Sequence, residues 1–288
     1  MADHISVRGA GNAVAVPRNV LFAGLIAIGF ANGSINRAIQ LAIQDAGSAL
    51  GRMLGVSIVA WVALAVAFAL VGRSPARPAT RADLAVAGAL FLLFLFPAAP
   101  ASWLGLTLLG AYLALGETPG SSSRRGGIVL VALTVPMFWS RILMSTMSDL
   151  ILTVDAILVS AILTADRVGN TIAFADGWGY FWIAPECSSL ANISLALLCW
   201  VIVTQTGAPQ RPVKFRYCIA AVLAVIAINV GRMALTGISR AHYELVHGAL
   251  GNVVFDVVTL AAMVGILFAG MKSAQRTTAR GRHDVSAA

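Results

Sequence analysis

Between Ile58 and Gly72 the chain reads IVAWVALAVAFALVG, with no charged, amide or hydroxyl side chain. A helix that is apolar all round has no face to offer water and needs apolar surroundings on every side. Comparable runs recur along the chain. About 20 apolar residues suffice to cross a bilayer as a helix, and windows of that kind fall at approximately 17–34, 53–71, 83–97, 100–116, 127–146, 187–205, 216–236 and 250–270. The expected fold is an all-α polytopic membrane protein with about eight transmembrane helices, a small extracytoplasmic β-hairpin and interfacial helices. Composition supports this: 59% of the residues are hydrophobic and 11% charged, against roughly 25% charged in soluble domains. The first apolar run follows Arg8 and Arg18 without a small-residue cleavage site, so it is expected to be retained as a span rather than removed as a signal peptide.

The loops sort by charge. Arg8 and Arg18, then Arg73, Arg77 and Arg81, then Arg124 and Arg125, then Arg211, Lys214 and Arg216, and finally Lys272, Arg276, Arg280 and Arg282 all fall on one side of the eight spans. The positive-inside rule makes that side cytoplasmic, which places both termini in the cytoplasm of a bacterial inner membrane. The net charge of +8 thus reports topology, and no nucleic-acid partner is expected. Three divisions follow: a four-helix membrane part over 1–126, a second membrane core over 127–271, and a basic cytoplasmic tail over 272–288 that is expected to be unstructured.

The opposite, extracytoplasmic side has another character. Residues 34–50 alternate apolar and polar positions at helical spacing, as an interfacial helix does. Residues 147–165 look similar but greasier, and Asp149 and Asp155 favour a surface or re-entrant helix there over a ninth span. The stretch NTIAFADGWGYFWIA, residues 170–184, places Asp176-Gly177-Trp178-Gly179 between two short aromatic runs, which predicts a β-hairpin. Trp178, Tyr180 and Trp182 suit the headgroup level.

That hairpin leads to PECSSL, where Glu186, Cys187, Ser188 and Ser189 crowd the start of the sixth span. The topology brings three reactive groups to the same depth there: Cys187, Arg232 near the outer end of the seventh span, and His247 just before the eighth. A thiol beside a helix N-terminus is disposed to ionise. His247 would take its proton and return it to a leaving amine, and Arg232 offers fixed charge and several donors for an oxyanion or a substrate carboxylate. Each residue alone has a plainer reading, as a small buried hydrophobe, an interface anchor and a solvated imidazole. Together they are the components of cysteine acyl transfer. Asn229, one turn before Arg232, is placed to orient it. Glu186 pairs with Arg232, holds His247 or faces water, and Ser188 and Ser189 are candidate helix caps. Asp256, inside the last span, is either a functional acid or a partner for Arg141. Three cysteines without a CxxC or His/Cys cluster give no metal site and no disulfide framework, and no cofactor is expected.

At these residues the sequence resembles the exosortase/archaeosortase family of integral membrane cysteine transpeptidases. The resemblance rests on PECSSL around Cys187, NVGR from Asn229 to Arg232, and HGALGNVVF from His247 through Gly251 to Phe255, in that order, and covers roughly residues 127–270. It implies a catalytic Cys187, Arg232 and His247, supported by Asn229, Glu186 and Ser188. It also implies substrates that are membrane-anchored exported proteins with a C-terminal tripartite sorting signal: a short motif of the Pro-Glu-Pro (PEP-CTERM-like) kind, a transmembrane helix and a basic end. Cleavage through a Cys thioester would pass the protein to an unknown acceptor, in connection with exopolysaccharide and cell-surface assembly. Ser189 departs from the family pattern, which has Gly there. The alternatives are a non-enzymatic membrane scaffold or transport component of polysaccharide export, with Cys187 structural, and an acyltransferase that uses Cys187 on a lipid or glycan donor.

Overall fold

The computed structural model describes residues 16–44, 56–207 and 213–286, and helices dominate it. Arg8, Arg52, Arg211 and residues 45–50 and 53–55 of the expected elements lie outside the described residues. Helix α1 (Arg18–Gln44) is followed by α2 (Ile58–Gly72), α3 (Arg81–Leu95) and α4 (Ala99–Gly116). Next come α5 (Ser122–Thr134), a π-helical turn (Val135–Trp139) and α6 (Ser140–Leu163). A small sheet of β1 (Arg167–Val168), β2 (Thr171–Ala173) and β3 (Tyr180–Trp182) leads through a 3-10 turn (Pro185–Cys187) into α7 (Ser189–Thr206). Then α8 (Phe215–Thr236), α9 (Arg240–His247) and α10 (Ala249–Ser286) complete the described chain.

Among the described residues, six helical stretches are long and apolar enough to cross a membrane: Arg18–Asn36, Ala99–Gly116, Ser122–Leu163, Ser189–Thr206, Phe215–Thr236 and Ala249–Ala274. The other two expected spans, α2 and α3, have 15 residues each. At 1.5 Å per residue that is about 22 Å, short of a hydrocarbon core of about 30 Å.

Two boundaries differ from expectation and one agrees with it. The interfacial helix expected from residue 34 is instead a continuation of α1, whose 27 residues cross Gly33 and Ser34 unbroken. The Trp103 indole explains the continuity. It packs on Gly33 and donates to its carbonyl at 3.1 Å, holding a glycine that would otherwise loosen the helix. The boundary expected at residue 147 is present, as a kink inside α6 where Met147 leaves helical backbone (φ −131°, ψ 26°). The π-helical turn sits upstream at Pro136, which has no N–H to give to the helical ladder. Finally, α10 continues to Ser286, well into the segment expected to be unstructured.

Two apolar cores hold the molecule. The larger joins α1 to α5 with α7, α8 and α10, around side chains such as Phe22, Leu106, Leu130 and Leu198. Helices α4 and α5 approach closely enough that a Cβ on Gly110 would lie 2.9 Å from the Gly127 carbonyl oxygen, the close backbone contact that small residues permit between membrane helices. At one end of this core Arg18 is buried, bonded to Asp83 at 2.7 Å and to Glu117, which also receives Arg77. The smaller core lies at the other end, where Ile172 and Phe181 of the sheet pack on Leu152, Ala156 and Val159 of α6 and on Val230 and Met233 of α8. Cys187 borders this second core.

The sheet is the expected hairpin plus one strand. Strands β2 and β3 pair antiparallel, with Ile172 opposite Phe181, and β1 adds to the far side of β2. The turn follows its residues: the Asp176 carboxylate accepts from the Trp178 N–H at 3.0 Å, and Gly177 takes a positive φ of 77°.

Candidate active site

Cys187 ends the 3-10 turn, half-buried, one residue before Ser188 caps α7. Pro185 starts the turn and the Cys187 N–H closes it on the Ala184 carbonyl at 2.9 Å. The Ser188 hydroxyl then accepts from the Leu190 N–H at 3.2 Å, meeting one of the donors that a helix start leaves unpaired.

Beneath this turn lies Asp155, buried on α6 at 4% exposure. Its Oδ2 accepts from the Ser188 hydroxyl and from the Ser189 N–H, each at 3.0 Å. This acid, read from the sequence as favouring a surface or re-entrant helix, is buried and secures the Cys187 turn. A carboxylate at a helix N-terminus also meets the positive end of the helix dipole.

Asn229 makes a second attachment. Its amide donates to the Cys187 carbonyl at 2.8 Å and to the Ser189 hydroxyl at 3.1 Å, and its Oδ1 faces the Asn192 amide at 3.5 Å. Asn229 therefore orients the cysteine turn and not Arg232, the partner expected from its i, i+3 spacing. The hydroxyl of Ser189 serves this network.

Arg232 is oriented from α10. Its Nη2 donates to the Asn252 Oδ1, and the Asn252 amide donates to the His247 carbonyl at 3.0 Å. The guanidinium also lies 5.7 Å from the centre of the Phe255 ring. Its remaining N–H groups make no hydrogen bond among the described residues. Asn252 belongs to the stretch HGALGNVVF but was not singled out; a polar side chain in the first turn of an apolar span was the available signal.

His247 ends α9. Its ring stacks on Tyr243 at 4.4 Å and 14°, and its Nδ1 is buried without a well-formed hydrogen bond. Gly251 makes the α9–α10 corner possible, because a Cβ there would stand 2.3 Å from the Leu245 carbonyl oxygen.

Charge and burial set the resting state of the pair. Burial pushes the Cys187 thiol above its ordinary 9.0; Arg232 pulls the other way and Glu186 adds to the rise. Burial, and then Arg232, hold His247 below its ordinary 6.5, with a weak opposing contribution from the Tyr243 carbonyl. At neutral pH the pair is thiol and neutral imidazole. No hydrogen bond joins them; what they share is the field of Arg232.

Glu186 makes neither of the protein contacts considered for it. It is exposed, outside any ion pair among the described residues, and lines a cavity of 770 Å³ with Arg141, Ser140, Ser145 and Ser194. Asp256 is exposed on α10 and does not pair with Arg141. An open apolar groove of 610 Å³ runs between α6, α8 and α10, lined by Leu163, Ile228, Gly231, Leu235, Phe255 and Val258. All three cysteines are free thiols, and no three His, Cys, Asp or Glu side chains cluster as a metal site among the described residues.

Compared with family models, with curated proteins and with solved structures, the chain matches none.

Proposed function

We propose that the chain is a membrane-embedded cysteine transpeptidase or peptidase of the exosortase kind. It would cut the C-terminal sorting signal from exported, membrane-anchored proteins. The observation that carries the reading is the fastening of the Cys187 turn. Asp155 and Asn229, from two different helices, hold it by four hydrogen bonds of 2.8–3.1 Å, while Arg232 acts on both Cys187 and His247. Rigid support of a reactive group is what catalysis requires and what a structural thiol does not.

In this mechanism, substrate closes the gap between Sγ and the imidazole. The neutral ring of His247 removes the thiol proton as Sγ attacks the scissile carbonyl carbon. The unpaired donors of Arg232 meet the oxygen as it becomes an oxyanion. Collapse breaks the C–N bond, the proton on His247 passes to the leaving amine, and a thioester remains on Cys187. An amine or hydroxyl acceptor, or water, then attacks the thioester and restores the thiol. The apolar groove beside Arg232 suits the substrate's transmembrane helix, which would set the scissile bond at the depth of Cys187. In the full topology of this reading, α2 and α3 complete eight spans and both termini face the cytoplasm.

Two variants test the reading in cells that depend on this chain. Cys187→Ala should stop maturation of the exported proteins that carry such a signal, with the variant present at normal level. Arg232→Lys should fail as well, because an ammonium lacks the planar fork of donors. Normal maturation with Cys187→Ala would return the chain to the scaffold reading, in which Cys187 is structural.

A further inference from the structure

Strand β3 has one bonded edge and one open edge, and the hydrogen-bond pattern shows which groups face outward. Phe174 N–H donates to the Gly179 carbonyl and Ile183 N–H to the Asn170 carbonyl, both at 2.9 Å. With Ile172 opposite Phe181 in register, the bonded positions of an antiparallel ladder alternate: 174 with 179, 172 with 181, 170 with 183. The pairs between them turn away from each other. On β2 this is visible directly, since the Ala173 N–H donates outward to the Asp166 carbonyl at 2.9 Å. By the same alternation Tyr180 and Trp182 of β3 present their N–H and C=O groups to the free side. None of these four groups has a hydrogen-bond partner among the described residues.

Natural sheets blunt such an edge with Lys, with Pro or with a covering element. Here the strand is Tyr-Phe-Trp, with Tyr180 71% and Trp182 62% exposed. The open edge also has a defined end. Ile183 is fully bonded, its carbonyl accepting from the Asn170 amide at 3.0 Å, and the chain then turns into Cys187. From Trp182 to Cys187 an extended chain reaches at most about 17 Å. An open edge that runs into a nucleophile is the arrangement in which a peptide adds to a sheet as an extra strand.

We propose that β3 is the substrate-docking strand: the extended extracytoplasmic segment of the exported protein adds alongside Tyr180–Trp182 and is thereby led to Cys187. This rests on the transpeptidase reading and specifies how that site recognises peptide, through main-chain bonds within about five residues of the scissile bond.

The test uses whole cells and the exported proteins that accumulate as precursors when Cys187→Ala replaces the wild-type chain. Trp182→Pro removes the outward N–H together with the ring, at a position where an edge strand tolerates proline. Trp182→Thr keeps that N–H and removes the aromatic ring. Docking through the edge predicts that Trp182→Pro slows precursor conversion by about tenfold or more, as expected for a lost hydrogen bond and a blocked edge, while Trp182→Thr stays within about threefold of wild type. Equal behaviour of the two, whether both active or both inactive, overturns the docking strand while leaving the transpeptidase standing. Absence of any precursor with Cys187→Ala overturns both. Should Trp182→Pro fail to reach normal level, a second measurement decides. Purified wild-type chain is given peptides spanning the precursor junction, N-methylated at successive residues. Inhibition recurring at every second residue is expected, and inhibition without that period contradicts the proposal.

Discussion

At the scale of single residues, the site is a set of small polar side chains holding one thiol. That Cys187, Asn229 and Arg232 come close together was legible from their spacing relative to span ends, but the partner of Asn229, the cysteine turn and not Arg232, was hidden. Asp155 was hidden altogether. Its partners, Ser188 and Ser189, are 33 and 34 positions away, so nothing near it in sequence distinguishes a buried cap from an exposed acid on a surface helix. Asn252 was hidden in the same way, since its role exists only once α10 lies against Arg232. The charges make a pH prediction. His247 must be neutral to act as a base, and its value is held below 6.5, so the acid limb of kcat/KM should lie below pH 6.5. The thiol is raised above 9.0, so the proton that His247 must deliver is kept until pH exceeds that value, and the alkaline limb should fall above pH 9. Arg232→Gln removes a charge that lowers both groups. It should therefore move the acid limb upward and the pH dependence of Cys187 alkylation upward too. A shift of the two in opposite directions would contradict the shared-field account.

At the scale of elements, the site depends on the corner between α9 and α10. The carbonyls of Leu245 and Val246 press so closely on Gly251 that no Cβ fits, the nearest approach being 2.3 Å. Gly251→Ala must open that corner, shift His247 and loosen the Asn252–Arg232 contact. A cost on the order of 1–3 kcal/mol, typical of forcing an extra carbon into a packed site, should appear as a lower unfolding midpoint. Activity should fall further than stability alone explains, since a displacement of about 1 Å costs about a hundredfold in rate; unchanged maturation would sink the assigned position of His247. The hairpin was legible because Asp-Gly-Trp-Gly is a local turn code. β1 was not, for two residues, Arg167 and Val168, carry no periodicity to read. The helix break expected at residue 34 fails, because polar residues in a run suggest an end but Trp103 on Gly33 lets the helix continue. The break expected at residue 147 is present, as non-helical backbone at Met147.

At the scale of the whole molecule, the two cores have separate tasks. The larger one gathers α1 to α5 with α7, α8 and α10 and is closed at one end by the buried Arg18–Asp83–Glu117 cluster. Such a cluster is costly to break, because removing one partner leaves a buried charge unpaired, so it fixes that end. The smaller core sets the sheet on α6 and α8 and carries the Cys187 turn at its border. The groove of 610 Å³ is bordered by Gly231 and Phe255, beside Arg232, and the cavity of 770 Å³ by Pro185 and Glu186, beside Cys187. Six spans by length and apolarity were legible from hydropathy alone; the pairing of helices was not, because apolar runs of equal greasiness do not say which neighbour each will take. The central claim is that Cys187 is acylated. It is tested most directly by mixing the chain with a maturing precursor, quenching in acid, and weighing the peptide that contains Cys187. The account predicts a hydroxylamine-labile adduct on Cys187 that matches the released protein's new C-terminus and diminishes when His247 is replaced by Gln, which removes the base that takes the thiol proton and the acid that protonates the leaving amine. Maturation that proceeds with Cys187 unmodified throughout, or with Cys187→Ala, would contradict it.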